Sequence, residues 1–455
     1  MNSSSTTLSK SQQDETFDSA ALHEIVEFML QESKARGATA AEAGLSVESG
    51  LSVTVRMGEV ETIEHNRDRS LGLSVFIGKR KGSASTTDFS RQAIIDTVQA
   101  ACDIARYTEE DPYAGLPEAD LLAMTYPDLD LYHPWAVTAD QAIEMTTQCE
   151  AKALNYDKRI TNSEGSYLTS HQGYRVYANS LGFLGAYPSS RHSLGCTVIA
   201  SEAERMERDY WYSVSRVADR LDELDRIGEL AGQRAVRRLN ARQVKTQRVP
   251  VVFHAEVARG LLGHLVRALS GSAQYRRSSF LLDKLGETVF PERIRIDERP
   301  HLPQAIGSAP FDSEGVRNSA HDLIQAGVIQ NYVLDSYAAR RLGLQSSGNA
   351  GGVHNLFISD DDYSLEQLLK EMDRGILVTE VMGQGVNIVT GDYSRGGTGF
   401  WVENGTIQYP IEEFTLASNL NDMYRNLVRV GNDVDTRSSL CTGSWLISEM
   451  TIAGS

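Results

Sequence analysis

Apolar side chains recur at every second position over Leu45, Val47, Leu51, Val53, Val55 and Met57, and again over Leu71, Leu73, Val75 and Ile77. A period of two lines one face of a pleated strand and is incompatible with a helix, so this part of the chain must build sheet with one buried face. Ser49-Gly50 is expected to turn a hairpin inside the first run, and 78–82, carrying Lys79, Arg80 and Lys81, to turn the next. Helical spacing flanks these strands. Leu22, Ile25, Val26, Met29 and Leu30 form one stripe, ended by Gly37; Ile94, Ile95, Val98, Ala101 and Cys102 form another behind a cap at Asp88 or Ser90. The pattern predicts an antiparallel sheet with helices on one side.

Residues 107–137 hold Pro112, Pro117, Pro127 and Pro134 and lack periodicity, so they read as a connector. The plan then repeats. Thr138 and Gln141 make a capping box for a helix through Ala153, glycine-punctuated strands run from Ile160 to about Tyr212, and Leu224, Ile227, Ala231 and Ala235 mark a helix. From Val249 a β-rich segment leads into a region whose latter part, 375–454, alternates short apolar runs with glycine turns and holds one helix candidate near 419–427. The expected class is α+β: an N-terminal α/β sandwich-like region of two similar antiparallel sheet-plus-helix units, then a mostly-β C-terminal domain. The expected divisions are a disordered polar tail over 1–18, a first unit over 19–106, the connector over 107–137, a second unit over 138–240 and the C-terminal domain over 241–455.

Lys+Arg 44 against Asp+Glu 61 leaves a net charge of −17, a field that repels nucleic acid, and Arg234, Arg237 and Arg238 read as a solvated helix face. No apolar run nears the ~20 residues of a membrane span. Cys102, Cys149, Cys196 and Cys441 are far apart with no C-x-x-C pair, and 1–18 has no apolar signal core, which places the expected protein in the cytoplasm with reduced thiols.

Gly348, Gly351 and Gly352, like Gly383 and Gly385, fit neither the phosphate loop nor the dinucleotide fingerprint, and no G-x-S-x-G elbow occurs. Such glycines suit tight turns or a groove in which an extended peptide adds to exposed strand edges. The candidates for peptide contact are His354 and Asn355, Gln384, and Tyr393 with Arg395; for each, a turn residue bonding its own loop is the competing reading. The most metal-like stretch runs over 253–264, where a strand enters a helix. His254 and His264 stand ten apart, about 15 Å along a helix, too far to share an ion, so capping or core packing is the stronger reading.

The strings Arg80-Lys81-Gly82-Ser83-Ala84-Ser85-Thr86-Thr87-Asp88, Met206-Glu207-Arg208-Asp209-Tyr210, Pro310-Phe311-Asp312-Ser313-Glu314-Gly315-Val316-Arg317 and Thr390-Gly391-Asp392-Tyr393-Ser394-Arg395-Gly396 resemble the TldD/PmbA metalloprotease family, on its PmbA (TldE) branch. The resemblance spans about 43–454. It implies a peptidase assembly of two related subunits that acts on unfolded peptides, with roles in peptide-antibiotic maturation and antitoxin turnover. In the TldD-like subunit a motif H-E-x-x-x-H and a C-terminal cysteine hold the metal. Laid on this chain, the histidines fall on Ala255 and Gly260, the glutamate on Glu256, and the cysteine on Cys441. The resemblance therefore implies no metal in this chain, zinc or a similar divalent ion in a TldD-like partner, and Glu256 retained without a clear catalytic role. Isolated copies are expected to form a homodimer through the C-terminal domain. The alternative function is a non-catalytic regulatory or adaptor protein.

Overall fold

The computed structural model describes residues 17–454. The first helix, α1 (Ser19–Ala35), is capped by Asp18, whose carboxylate accepts from the Ala21 amide, and Phe17 stacks on Tyr174 with rings 5.6 Å apart. Of the expected disordered tail, 1–16 lies outside the described residues; its last two residues are ordered by these contacts.

Six strands form the first sheet: β1 (Ala40–Arg56), β2 (Glu59–Ile77), β3 (Arg80–Thr86), β4 (Ile160–Asn179), β5 (Leu184–Glu202) and β6 (Arg205–Ser215). Their spatial order is β3-β2-β1-β4-β5-β6, every pairing antiparallel. The two N-terminal units are thus halves of one sheet, joined where β1 pairs with β4 from Glu42 against Asn179 to Val55 against Ser166. The expected turn at Ser49-Gly50 is absent, because β1 runs unbroken through it. Gly50 is paired on both sides, with Asn66 and His171, and a Cβ there would meet the His171 ring at 2.3 Å, so the glycine serves close approach. The chain reverses instead at Met57-Gly58, where both residues take positive φ, 53° and 79°, as a tight hairpin requires.

Helices α2 (Arg91–Tyr107), α3 (Ala139–Leu154) and α4 (Leu224–Arg237) complete this region. Ser90 caps α2, and the Thr138–Gln141 capping box starts α3 as its sequence predicts. Odd-numbered residues of β1 share one face. Ala41, Ala43 and Leu45 pack with α1 and α2, and Leu51, Val53 and Val55 with α3 and α4, so both helix pairs cover the same side of the sheet. The other side is lined mainly by Gly, Ser, Thr, Tyr and Arg and faces the rest of the chain. Segment 107–137 reaches across to the later part, where the Arg340 guanidinium donates to the carbonyls of Tyr113, Gly115 and Leu116.

The remainder is a second, smaller sheet and a closed ring of strands. β7 (Gln247–Phe253) leads into α5 (Ala255–Leu269) and a short α6 (Gly271–Tyr275). The smaller sheet holds β8 (Ile296–Glu298), β9 (His321–Gln325), β10 (Val328–Ile329), β11 (Leu356–Ile358) and, from later in the chain, β16 (Leu440–Cys441), with α7 (Ser336–Leu342) beside it. After α8 (Leu365–Met372) come β12 (Gly375–Met382), β13 (Asp392–Glu403), β14 (Thr406–Asn419), α9 (Leu420–Arg425), β15 (Leu427–Val430) and β17 (Trp445–Ala453). β14, β13, β12, β7 and β17 are paired in that order, and β14 also pairs with β17 through Thr415 against Ala453, which closes the sheet on itself. Closure corrects one expectation: β12 and β13 have partners on both sides, so the glycine-rich strands offer no free edge to a peptide. The apolar stripe of α5, with Ala258, Leu261, Leu262 and Leu265, joins the ring residues Val251, Phe253, Ile376 and Trp445 in the largest core of the chain.

The helix pair α3–α4 depends on Gly228, where an added Cβ would stand 2.3 Å from the Cys149 carbonyl oxygen. Gly228→Leu is expected to cost about 1–3 kcal/mol by overpacking, read from denaturant midpoints. An unchanged midpoint would mean that these helices have slack.

Candidate functional site

α5 starts at the end of the central strand β7, which fixes Glu256 in its first turn, and His254 caps the helix. The Ala255 amide donates to Ser444 Oγ at 3.0 Å, and that hydroxyl donates to Asp433 at 2.6 Å. Loop 431–439 therefore sits against the start of α5, and it delivers Asp435 and Arg437. The Arg437 guanidinium donates to Glu256 Oε1 at 2.7 Å, to Asp435 Oδ1 at 2.9 Å and Oδ2 at 3.0 Å, and to the Tyr212 carbonyl at 3.0 Å. Its planar face lies 4.3 Å from the Trp211 ring centre and 4.4 Å from that of Tyr212. From the other side Arg234, on α4, donates to Glu256 Oε2 at 2.9 Å and to Asp209 of β6 at 3.0 Å. Arg238 extends the network to Glu380 of β12 at 2.6 Å and Glu207 at 3.3 Å.

The Glu256 side chain is 8% exposed, that of Arg234 9% and that of Arg437 15%. This corrects the solvated-face reading for two of the three arginines: the Arg234 and Arg238 side chains are drawn in because carboxylates from the two halves of the chain meet them, while Arg237 is exposed. Burial pushes the Glu256 carboxyl up, but Arg234 and Arg437 overcome that and hold it below its ordinary value; burial likewise raises Asp435, and Arg437 outweighs it.

These residues do not fit a metal ion. Both Glu256 oxygens are held by guanidinium groups, and cations at such distances oppose a divalent ion. Ala255 is buried, and Gly260, where a Cβ would meet open space, supplies no ligand. Cys441 donates its thiol to the Ser438 carbonyl, and burial pushes it up to about 12, away from the thiolate that binds metals. Among the described residues no group of three His, Cys, Asp or Glu side chains stands ready for an ion. The mapped glutamate and cysteine have instead become parts of separate packing arrangements.

The five peptide-contact candidates are not gathered at one place. His354 lies in the smaller-sheet region, its amide and Nδ1 on Glu298 Oε1 at 2.6 and 3.0 Å, while Asn349 holds both oxygens of that buried carboxylate. Asn355, 2% exposed, donates to the Arg299 carbonyl and Ser308 Oγ and accepts from the Gly307 amide, so its side chain is turned inward onto the segment 299–308. Tyr393, 3% exposed, packs its ring against Phe253 and His264 inside the ring of strands. Arg395 donates to the Met382 carbonyl at 3.1 Å, and Gln384 is exposed in the turn between β12 and β13. Asp312 explains the string around it: it accepts from the amides of Glu314, Val316 and Ala350, with burial raising it to about 6. Sequence reading found Glu256 but missed Arg437, Asp435 and Asp209 as its setting. Asp209 lay in a singled-out string; Arg437 carried no local signal.

Two results follow from the guanidinium clamp. A depressed carboxylate adds stability above its unfolded pKa and loses it as pH falls through the folded value. Glu256→Gln is thus expected to be less stable than the natural chain by about 3 kcal/mol at neutral pH, with the gap narrowing below about pH 4.5, read from denaturant melts across pH. A gap independent of pH would contradict this. The double substitution Ala255→His with Gly260→His is expected to take up no zinc by calorimetry while Arg437 stays in place, and clear uptake would show that the clamp yields to an ion.

The sequence matches three domains described for the PmbA/TldA metallopeptidases: domain 1 over 41–105, the central domain over 132–239 and the C-terminal domain over 246–454. It is 53% identical to the metalloprotease PmbA of Escherichia coli O157:H7, over 91% of this chain and 92% of that one, and 46% identical to the metalloprotease PmbA homolog of Haemophilus influenzae, over 99% and 98%. A crystal structure from Bacteroides thetaiotaomicron, of a protein provisionally named a modulator of DNA gyrase, superposes with TM-score 0.90 at 28% identity, over 95% of this chain and 99% of that one. TldE of Thermococcus kodakarensis has the same fold, with TM-score 0.84 at 21% identity, over 94% and 100%. With all three domains matched and close relatives along nearly its whole length, the chain belongs to the TldD/PmbA metallopeptidase family, on its PmbA (TldE) branch.

Proposed function

We propose that this chain is the metal-free subunit of a two-subunit cytoplasmic peptidase of the TldD/TldE type. A TldD-like partner supplies zinc or a similar divalent ion with its activated water, and this chain completes the chamber that holds an unfolded peptide. Processing of a peptide antibiotic and turnover of an antitoxin are the tasks this reading favours. The observation that carries it is the pairing of Glu256 with Arg234 and Arg437: a carboxylate so held is a poor proton acceptor, and although the His254 imidazole lies 3.7 Å from Glu256 Oε2, no group of three His, Cys, Asp or Glu side chains among the described residues is placed to bind an ion. Arg437 also occupies the Tyr212 carbonyl on β6, an edge strand of the first sheet, which blocks that part of the edge to strand addition by a peptide. Alone, the chain is expected to pair with a second copy of itself in place of the partner.

Reconstitution tests the reading. The isolated chain is expected to carry far less than one zinc per molecule and to leave an unstructured peptide intact, whereas the mixture with a TldD-like protein cleaves it. Glu256→Gln, if folded, is expected to support cleavage in the mixture within about threefold of the natural chain, because the role of Glu256 is structural. Full activity of the isolated chain would contradict the proposal, and an inactive mixture would turn the reading to an adaptor that only binds other proteins.

A further inference from the structure

The helix-free face of the first sheet runs away from the Glu256 clamp in rows of cross-strand neighbours. Tyr167, Gly195 and Tyr212 form the row nearest Arg437, and His171 opposite Arg191 forms a row four residues further along β4 and β5. At about 3.3 Å per residue the second row is ~13 Å from the first, the span of four residues of an extended peptide. At that second row lies a cavity of about 230 Å³ bordered by Glu48, His171, Gly173, Arg191, Arg216 and Ile306.

Its two arginines are unusual in a chain with 17 more acidic than basic side chains. Arg191 is exposed, and its side chain has no hydrogen bond or ion pair among the described residues. Arg216 donates only to carbonyls, those of Ala305, Ile306 and Ser190 at 3.0, 2.9 and 3.1 Å, which leaves two of its five N–H groups uncommitted. Burial lowers its pKa, and Arg191 adds like-charge repulsion. The carboxylate on the cavity wall, Glu48, faces His171, with Oε1 3.4 Å from Nδ1, and makes no ion pair with either arginine. Two neighbouring guanidinium groups that share a cleft without a carboxylate of their own have the geometry of an anion site, and their forked donors match a planar carboxylate.

We propose that Arg191 and Arg216 bind a carboxylate of an extended peptide lying on this sheet face, about four residues from the clamp at Glu256. Gly173 and Ser189 keep the floor low enough for a main chain to lie on it, and the carboxylate belongs either to an acidic side chain or to the peptide C-terminus. The peptide itself comes from the proposed function, but the site is tested without partner, metal or cleavage, so failure of either reading is seen separately.

Calorimetry on the full chain with three acetylated pentapeptides of otherwise identical neutral sequence makes the test: one with a free C-terminus, one amidated, and one amidated with a single internal glutamate. At least one carboxylate peptide is expected to bind about tenfold or more tightly than the neutral amide, and the stronger of the two identifies the source of the group. Arg191→Gln, at an exposed position that leaves folding intact, is expected to remove that difference, and raised salt to weaken it. Equal binding of the three peptides, no binding at about 5 mM, or an unchanged preference in Arg191→Gln would overturn the proposal.

Discussion

A buried carboxylate has to be neutralised, and in this chain Glu256 is neutralised by two arginines that come from opposite directions. Arg234 arrives on a helix of the first sheet, Arg437 on a loop of the C-terminal ring, and Glu256 itself opens the helix that fills that ring. Each guanidinium is also hydrogen-bonded to an aspartate of its own neighbourhood and lies beside the Trp211 ring, so the three charges are fixed in place. The seam between the two large parts of the molecule is thus electrostatic at this point, and loss of any one charge would leave another buried with one counter-ion fewer.

The same seam explains why the residues beside Glu256 do not fit a metal ion. Guanidinium groups already supply the positive charge beside the glutamate, and Ala255 and Gly260 offer no ligand. The sheet beyond the seam is helix-covered on one side only. Its other side, paved with small and polar residues, carries the cleft of Arg191 and Arg216, the surface proposed for a ligand.

The sequence reads most clearly where burial is one-sided. Alternation at Leu71, Leu73 and Val75 and the capping box at Thr138 declare themselves because each follows from local geometry. The turn at Ser49-Gly50 misleads, since a glycine needed for the close approach of His171 looks the same as a glycine needed for a turn. Fusion of the two units into one sheet, and closure of the ring by β14 and β17, depend on pairings between distant segments that leave no local mark. For the site, the resemblance singled out Glu256 and laid the family's histidines on Ala255 and Gly260. It did not reveal that Arg234 and Arg437 converge on that carboxylate, because they lie 22 residues before and 181 residues after it in the chain.

The claim that Glu256 is a structural charge, held by Arg234 and Arg437, is tested most directly by a double-mutant cycle on unfolding free energy with Glu256→Gln, Arg437→Gln and the pair. The account predicts a coupling of at least about 1 kcal/mol, because the second substitution removes a charge that the first has already deprived of a partner. Additivity within about 0.5 kcal/mol would contradict it and return Glu256 to a role outside the fold.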